Sequence, residues 1–578
     1  MAPDPLTEPS RKREPLRDPI ERRIFASLLA RLRYLGPGAP TSVRPGRLIL
    51  AAVLAGIGAA ALLMIRLFYP STVGLGDQGD GNRLLCNLGV TNVRPWDYTN
   101  LMKYVYPQWT PHQWYGEACG ADGSGEYYSS SQILIAAVAK YLTPLAGWGP
   151  GLDTRMIGVV CSVLFGLLLA WFIFLCPGKL VFRLVVAAGL TLLMADPVFA
   201  DFFVSPYSEP AAFLGTFALL NALMVCFRRH RPGWLGMALV LCAAAFTIAA
   251  KTQTVSFLPI LALALLWRPG RSRRPRPAPH KGTRLRKALH WMSVRRAGVL
   301  AVVALTAFSV AFMTNQPKRF SELNLYNAVF VEMLPHSPSK AEDLRWFGLD
   351  PSMESASGTT VASAKSAVYL PTYHDFMDKV TLPKIAVFYA THPERLVSMA
   401  ERGIGAMTKP RLDYIGSYTA DSGHDPWEKE HRIPLFSGIF QFFAAAPVLI
   451  PFLHLLTLVL ASAVRSRQRT GRAAVALGSA VIVLIPSAWL QFWAVMLTEG
   501  QSEIYKHMII VDFMTALLIP LGAALAAILA SGGSRHGPQS VPPGRRRTNR
   551  VLAGKVTDHN GTDQQHHDRA HPPQAISK

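Results

Sequence analysis

Apolar runs long enough to cross a bilayer recur along the chain, separated by short polar stretches, and their length decides the class of protein. A helix crosses the hydrocarbon with roughly 20 apolar residues. Such runs lie at Leu48 to Leu67, Met156 to Cys176, Val181 to Met194, Ala211 to Phe227, Leu235 to Ala250, Val255 to Trp267, Ala297 to Met313, Phe436 to Val464, Ala473 to Leu497 and Met508 to Ala530. The pattern predicts an all-α polytopic membrane protein with about ten transmembrane helices. The runs starting at Val181, Leu235 and Val255 are short for the hydrocarbon thickness, so their ends are expected in protein-lined water. The amphipathic run Gln132 to Leu145, with Lys140 inside it, is too polar to cross and is expected along the external interface.

The polar stretches alternate in character. Short loops rich in Lys and Arg stay cytoplasmic, and the amino-terminal tail, Lys179/Arg183, Arg228/Arg229/Arg231, the linker 268–296, Arg465/Arg467/Arg469/Arg472 and Arg545/Arg546/Arg547 are all basic. The loops between them, including the long one from Asn315 to Pro434, carry acids as well. Both termini are therefore expected in the cytoplasm. The domain plan is a basic tail at 1–44, a transmembrane domain at 45–530 and a second tail at 531–578. Within the transmembrane domain, loop 70–155 and a mostly helical domain at 315–434 are external. The tails are too polar to bury a core, and the first apolar run is long enough to span, so no cleavable signal peptide is expected.

Composition fits this plan: half of the residues are hydrophobic, 16% are charged, and the formal net charge is +23. Most of that excess is topological and faces anionic headgroups, so it calls for membrane lipid as partner and for no nucleic acid. Four of the six cysteines fall within apolar runs, while Cys86 and Cys119 share the first external loop, where an oxidising exterior permits a disulfide. Two thiols in one loop can also stay free. No CxxC or His cluster points to a metal site, and no cofactor is indicated.

The chemistry-bearing residues gather on the external side. The first loop offers Asp77, Asp80 and Arg83, the second Asp196, Asp201 and Tyr207-Ser208-Glu209-Pro210, the short external turn Lys251 and Gln253, and the approach to the last span Glu499, Glu503, Tyr505, Lys506 and His507. Carboxylates near a bilayer usually mark a substrate, ion or proton site. One of them, Asp80 or Asp77, can take the proton of an acceptor hydroxyl. Arg83, Lys251, Lys506 and His507 can hold a phosphate, and Glu209, Tyr207 and Glu503 can serve the acceptor or the surrounding network. Each has a structural alternative. Asp80 is a favoured helix N-cap, Glu209 before Pro210 suits a helix dipole, Lys251 can snorkel, and Arg83, Lys506 and His507 can anchor at the interface. Asp512, inside the last run, either pairs with a cation such as Lys506 or lines a cavity.

Asp77-Gln78-Gly79-Asp80 with Arg83, Ser205-Pro206-Tyr207-Ser208-Glu209-Pro210, Asn324-Leu325-Tyr326-Asn327-Ala328-Val329-Phe330 and Phe347-Gly348-Leu349 occur here in that order. Together they resemble the bacterial cell-surface glycan hexose transferases (WsfD-like) of the GT-C superfamily, over about Leu48 to Ala530. The resemblance implies a GT-C-like bundle in a bacterial plasma membrane with its active site outside. It further implies transfer of a hexose from a polyprenyl-phosphate donor to a glycan or lipid-linked acceptor, with an acid of the first external loop as base. A glycan polymerase, or a transporter or flippase of lipid-linked sugars, meets the same carriers and is the alternative.

Overall fold

The computed structural model describes residues 45–75, 79–90, 112–114, 128–228, 234–266, 284–467 and 470–531. The tails expected at 1–44 and 531–578 fall outside them, apart from Ser531, as does most of the basic linker. The protein is an all-α polytopic membrane protein. Among the described residues seven helices are long and apolar enough to cross: Pro45–Phe68, Thr154–Leu175, Glu209–Phe227, Arg296–Thr314, Leu449–Ser466, Arg472–Thr498 and Ile504–Ser531. Leu180–Ala195 and Pro197–Val204 make an eighth if the pair, bent by 61°, is one span.

Two of the ten expected spans are not among these eight, and two expected boundaries shift. Leu235–Ile248 and Thr252–Leu266 are helical but too short to cross. The run from Phe436 to Val464 is two elements, Leu435–Ala444 and Leu449–Ser466. Pro447 lies in the break, and its missing N–H and ring clash oppose a continuous helix. The linker expected to end at Arg296 turns helical at Arg284, where the Arg284–Thr314 helix begins.

The bend has a local cause. A residue before proline is pushed out of the helical region, and Asp196, before Pro197, is extended at φ −64° and ψ 137°. Its Oδ1 accepts from Val198 N at 3.1 Å as an N-cap. Its Oδ2 accepts from Phe436 N at 2.7 Å and Ser437 N at 2.9 Å, so the same carboxylate caps the Leu435–Ala444 helix.

The bundle is tightest where Pro45–Phe68 crosses Thr154–Leu175. A Cβ on Gly56 would stand 2.5 Å from Gly166 O, and one on Gly166 the same distance from Gly56 O, with Ala60 and Ala170 beside them. Small residues let two backbones touch where lipid offers no hydrophobic drive. Glu209–Phe227 lies deepest, with 94% of its apolar window buried. Gln132–Leu145 packs on Thr154–Leu175 through Ile135, Ala136, Ala139 and Thr143. It leaves Leu134, Val138, Tyr141 and Leu145 exposed.

Residues 315–434 form a mostly helical cap around an aromatic core that includes Tyr326, Phe330 and Phe376. A strand pairing and an ion cluster are among the links that join it to the bundle. Strand Ile415–Tyr418 pairs antiparallel with Val73–Leu75, just after the first helix, with Val73 opposite Tyr418. Beneath it, the buried Arg66 guanidinium pairs with Asp201, at 2.7 Å, and with Glu430. Arg432 holds Glu430 at 2.6 Å, and Arg411 lies 3.9 Å from Asp201. Cys86 is disulfide-bonded; Cys119, its expected partner, lies outside the described residues. His112 donates or accepts at Thr154 Oγ1 over 2.8 Å, and burial pushes its pKa down to about 4, so the imidazole is neutral there.

Candidate functional site

On the cap side of the bundle, helix ends and cap residues enclose a cavity of about 530 Å³. Its floor comes from the starts of three apolar elements. Glu209 opens the Glu209–Phe227 helix with Pro210 behind it, a position where a carboxylate meets the positive end of the helix dipole. Lys251, at the extended residue before the Thr252–Phe257 turn, donates to Glu209 Oε1 at 2.6 Å, and both side chains are nearly enclosed. Lys506, in the first turn of Ile504–Ser531, points Nζ over the Tyr207 ring, 4.7 Å from its centre, and pairs with Glu503 at 3.3 Å. Its neighbour His507 accepts from Gln253 Nε2 through its backbone oxygen at 3.0 Å.

The turn that joins the last two helices is strained. Gly500 has φ 55°, and Glu503 takes φ 43°, a left-handed conformation that non-glycine residues rarely adopt. A Cβ on Gly500 would overlap Glu332 of the cap, so the turn sits directly against the cap. Such strain clusters at binding and catalytic sites. The turn presents Glu499, whose Oε2 accepts from Asn327 Nδ2 at 3.1 Å and lies 3.9 Å from His507 Nε2. Burial raises the Glu499 pKa above its ordinary value of 4.5, against the pull of Asn327 and the two lysines. Asn327 starts a π-helical turn, Asn327–Met333, that continues Lys318–Tyr326. Turns of this kind are frequent at functional sites.

A family model described as the YfdI N-terminal transmembrane domain matches residues 41–531, a range that takes in every residue lining the cavity. The chain belongs to the YfdI N-terminal transmembrane domain family. No curated protein and no solved structure matches it.

In this YfdI-family chain the cavity brings together seven of the residues given a chemical role from the sequence: Arg83, Tyr207, Glu209, Lys251, Glu503, Lys506 and His507. Asp80 sits on the short helix Gly79–Leu85 with Arg83, one turn before it. Asp77 lies outside the described residues. Asp512 is fully buried, neither of its carboxylate oxygens has a hydrogen-bond partner among the described residues, and it is not part of this cavity's wall. Among the described residues no group of three or more His, Cys, Asp or Glu side chains is placed to hold a metal ion. Sequence reasoning missed Arg319, Asn324, Asn327 and Tyr369 as lining residues, whereas Glu499, grouped from the sequence with the residues before the last span, does line the cavity. A usable signal was present for Asn324 and Asn327, which flank Tyr326 within the family-like motif.

Proposed function

We propose that this chain is an integral-membrane glycosyltransferase that moves a hexose from a polyprenyl-phosphate donor to a cell-surface glycan or lipid-linked acceptor, outside a bacterial plasma membrane. The observation that carries the reading is the single cavity in which cations, carboxylates and the Arg83-bearing helix meet at the ends of apolar helices. A polyprenyl chain stays in lipid while its phosphate reaches such a site. Arg83, Lys251, Lys506 and His507 supply charge-assisted donors to that phosphate. Glu209, Tyr207 and Glu503 hold the acceptor and the lysines. The acceptor oxygen attacks the anomeric carbon as the bond from that carbon to the phosphate oxygen breaks. Polyprenyl phosphate leaves with the electron pair, the acceptor proton passes to Asp80 or Asp77, and the anomeric centre inverts. Family membership in a transmembrane-domain family and the WsfD-like, GT-C resemblance of the motifs support this assignment.

The test is turnover and donor binding of the full chain in detergent with a polyprenyl-phosphate hexose. Asp80→Asn, or Asp77→Asn if that is the base, should lower turnover by about two to four orders of magnitude, the usual worth of general-base catalysis, and leave donor binding intact. Full turnover in the double variant would end the mechanism. The broken pair Leu180–Ala195 and Pro197–Val204 favours a second reading, a transporter of lipid-linked sugars, since such proteins use interrupted helices. Movement of a labelled lipid-linked sugar across vesicles by the double variant, without transfer, would decide for it.

A further inference from the structure

One wall of the cavity comes from the cap and differs from the rest. It carries an exposed aromatic ring and amide groups where the floor carries paired charges. The segment 359–369 that forms it is pinned by one phenol. Tyr326 OH lies 2.7 Å from Thr359 Oγ1, accepts from Ser366 Oγ at 3.0 Å and accepts from Ala367 N at 3.0 Å. The Tyr326 ring is itself buried against Phe330, with centroids 4.7 Å apart. Tyr369 is therefore presented from a fixed backbone, its N–H bonded to Ser366 O at 3.2 Å, and the residue lines the cavity while 70% exposed. The wall continues with Asn327, bonded to Glu499, and with Asn324, whose amide nitrogen reaches Glu499 Oε1 at 2.9 Å in the donating orientation.

We propose that this wall is a subsite for an uncharged sugar ring, in which Tyr369 stacks on the C–H face of a pyranose while Asn324, Asn327 and Glu499 bond its hydroxyls. A pyranose has an apolar face and a polar rim. An amphipathic aromatic ring suits the first, and planar amides and carboxyls that accept and donate side by side suit the second. Few polar groups at fixed positions in a concave site are what set ligand orientation. The pinning through Tyr326 means that the backbone carrying the ring is already ordered when a sugar arrives, which favours binding. The two oxygens of Glu499 can each accept from a hydroxyl. The subsite deepens the glycosyltransferase reading and rests on it for the identity of the sugar as substrate.

The experiment uses the full chain in detergent with methyl α- and β-hexopyranosides and hexose disaccharides as probes, with binding followed by ligand-detected NMR. At least one probe should bind. Tyr369→Ala should weaken it by about 3- to 10-fold, the usual worth of an aromatic contact expressed as affinity. Tyr369→Trp should hold it within about 2-fold, since the stacking face is kept. Tyr326→Phe keeps the buried ring but frees the segment, and should also weaken binding; unchanged thermal unfolding of Tyr369→Ala shows that the loss is not misfolding. Absence of binding by every probe, or wild-type affinity in Tyr369→Ala, overturns the subsite. The two readings separate cleanly. Transfer with an unchanged acceptor KM in Tyr369→Ala sinks the subsite alone, and sugar binding without transfer from any polyprenyl-phosphate sugar sinks the glycosyltransferase alone.

Discussion

At the scale of single residues, the buried pair of Lys251 and Glu209 shows how a cavity lined with charged residues keeps its own charges stable. Removing one partner of an enclosed ion pair leaves the other without compensation, which costs about 3 to 5 kcal/mol, whereas removing both is often close to neutral. Lys251→Met should therefore lower the thermal stability of the detergent-solubilised protein strongly, and Lys251→Met with Glu209→Leu should recover most of the loss. Equal instability of the single and double variants would show that the pair is not what the site depends on. The sequence made both residues visible, because charges flanking apolar runs are rare and stand out. It did not show that they meet, since the contact spans 42 positions and nothing local encodes it. Asn324, Asn327 and Tyr369 were harder still. Neutral polar and aromatic residues in a long inserted domain carry no periodicity that separates a cavity wall from an ordinary surface.

Elements are governed by close approach and by proline. The crossing at Gly56 and Gly166 leaves no room for a side chain, while Gly58, two residues away, faces open space. Gly166→Leu should force the first two long helices apart and abolish the folded, monodisperse species seen by size-exclusion chromatography, and Gly58→Leu should elute as the wild type does. Folded Gly166→Leu at wild-type yield would contradict the crossing. Apolar run length predicted where helices occur, and each of the ten runs holds helix over most of its described residues. Which runs span was less legible. Pro447 divides one run and Asp196-Pro197 bends another, and both are local signals that a count of hydrophobic residues averages away.

For the whole molecule, the alternation of basic and mixed loops predicts which side the cap faces. A cysteine placed at Ser352 in the cap should react with an impermeant reagent in intact cells, and one placed at Pro279 in the basic linker should not. The opposite pattern would invert the topology and move the cavity to the cytoplasm. The cap closes on the bundle through Arg66, and that contact joins positions 364 apart in the chain. Distance along the sequence is also time. At about 5 to 20 residues per second, roughly 20 to 70 s separate the emergence of Arg66 from that of Glu430. Throughout that interval the guanidinium at the end of the first helix has at most Asp201 to answer it, and an ion without its partner is costly to bury. Arg66 therefore gains its second carboxylate only after most of the cap has been made.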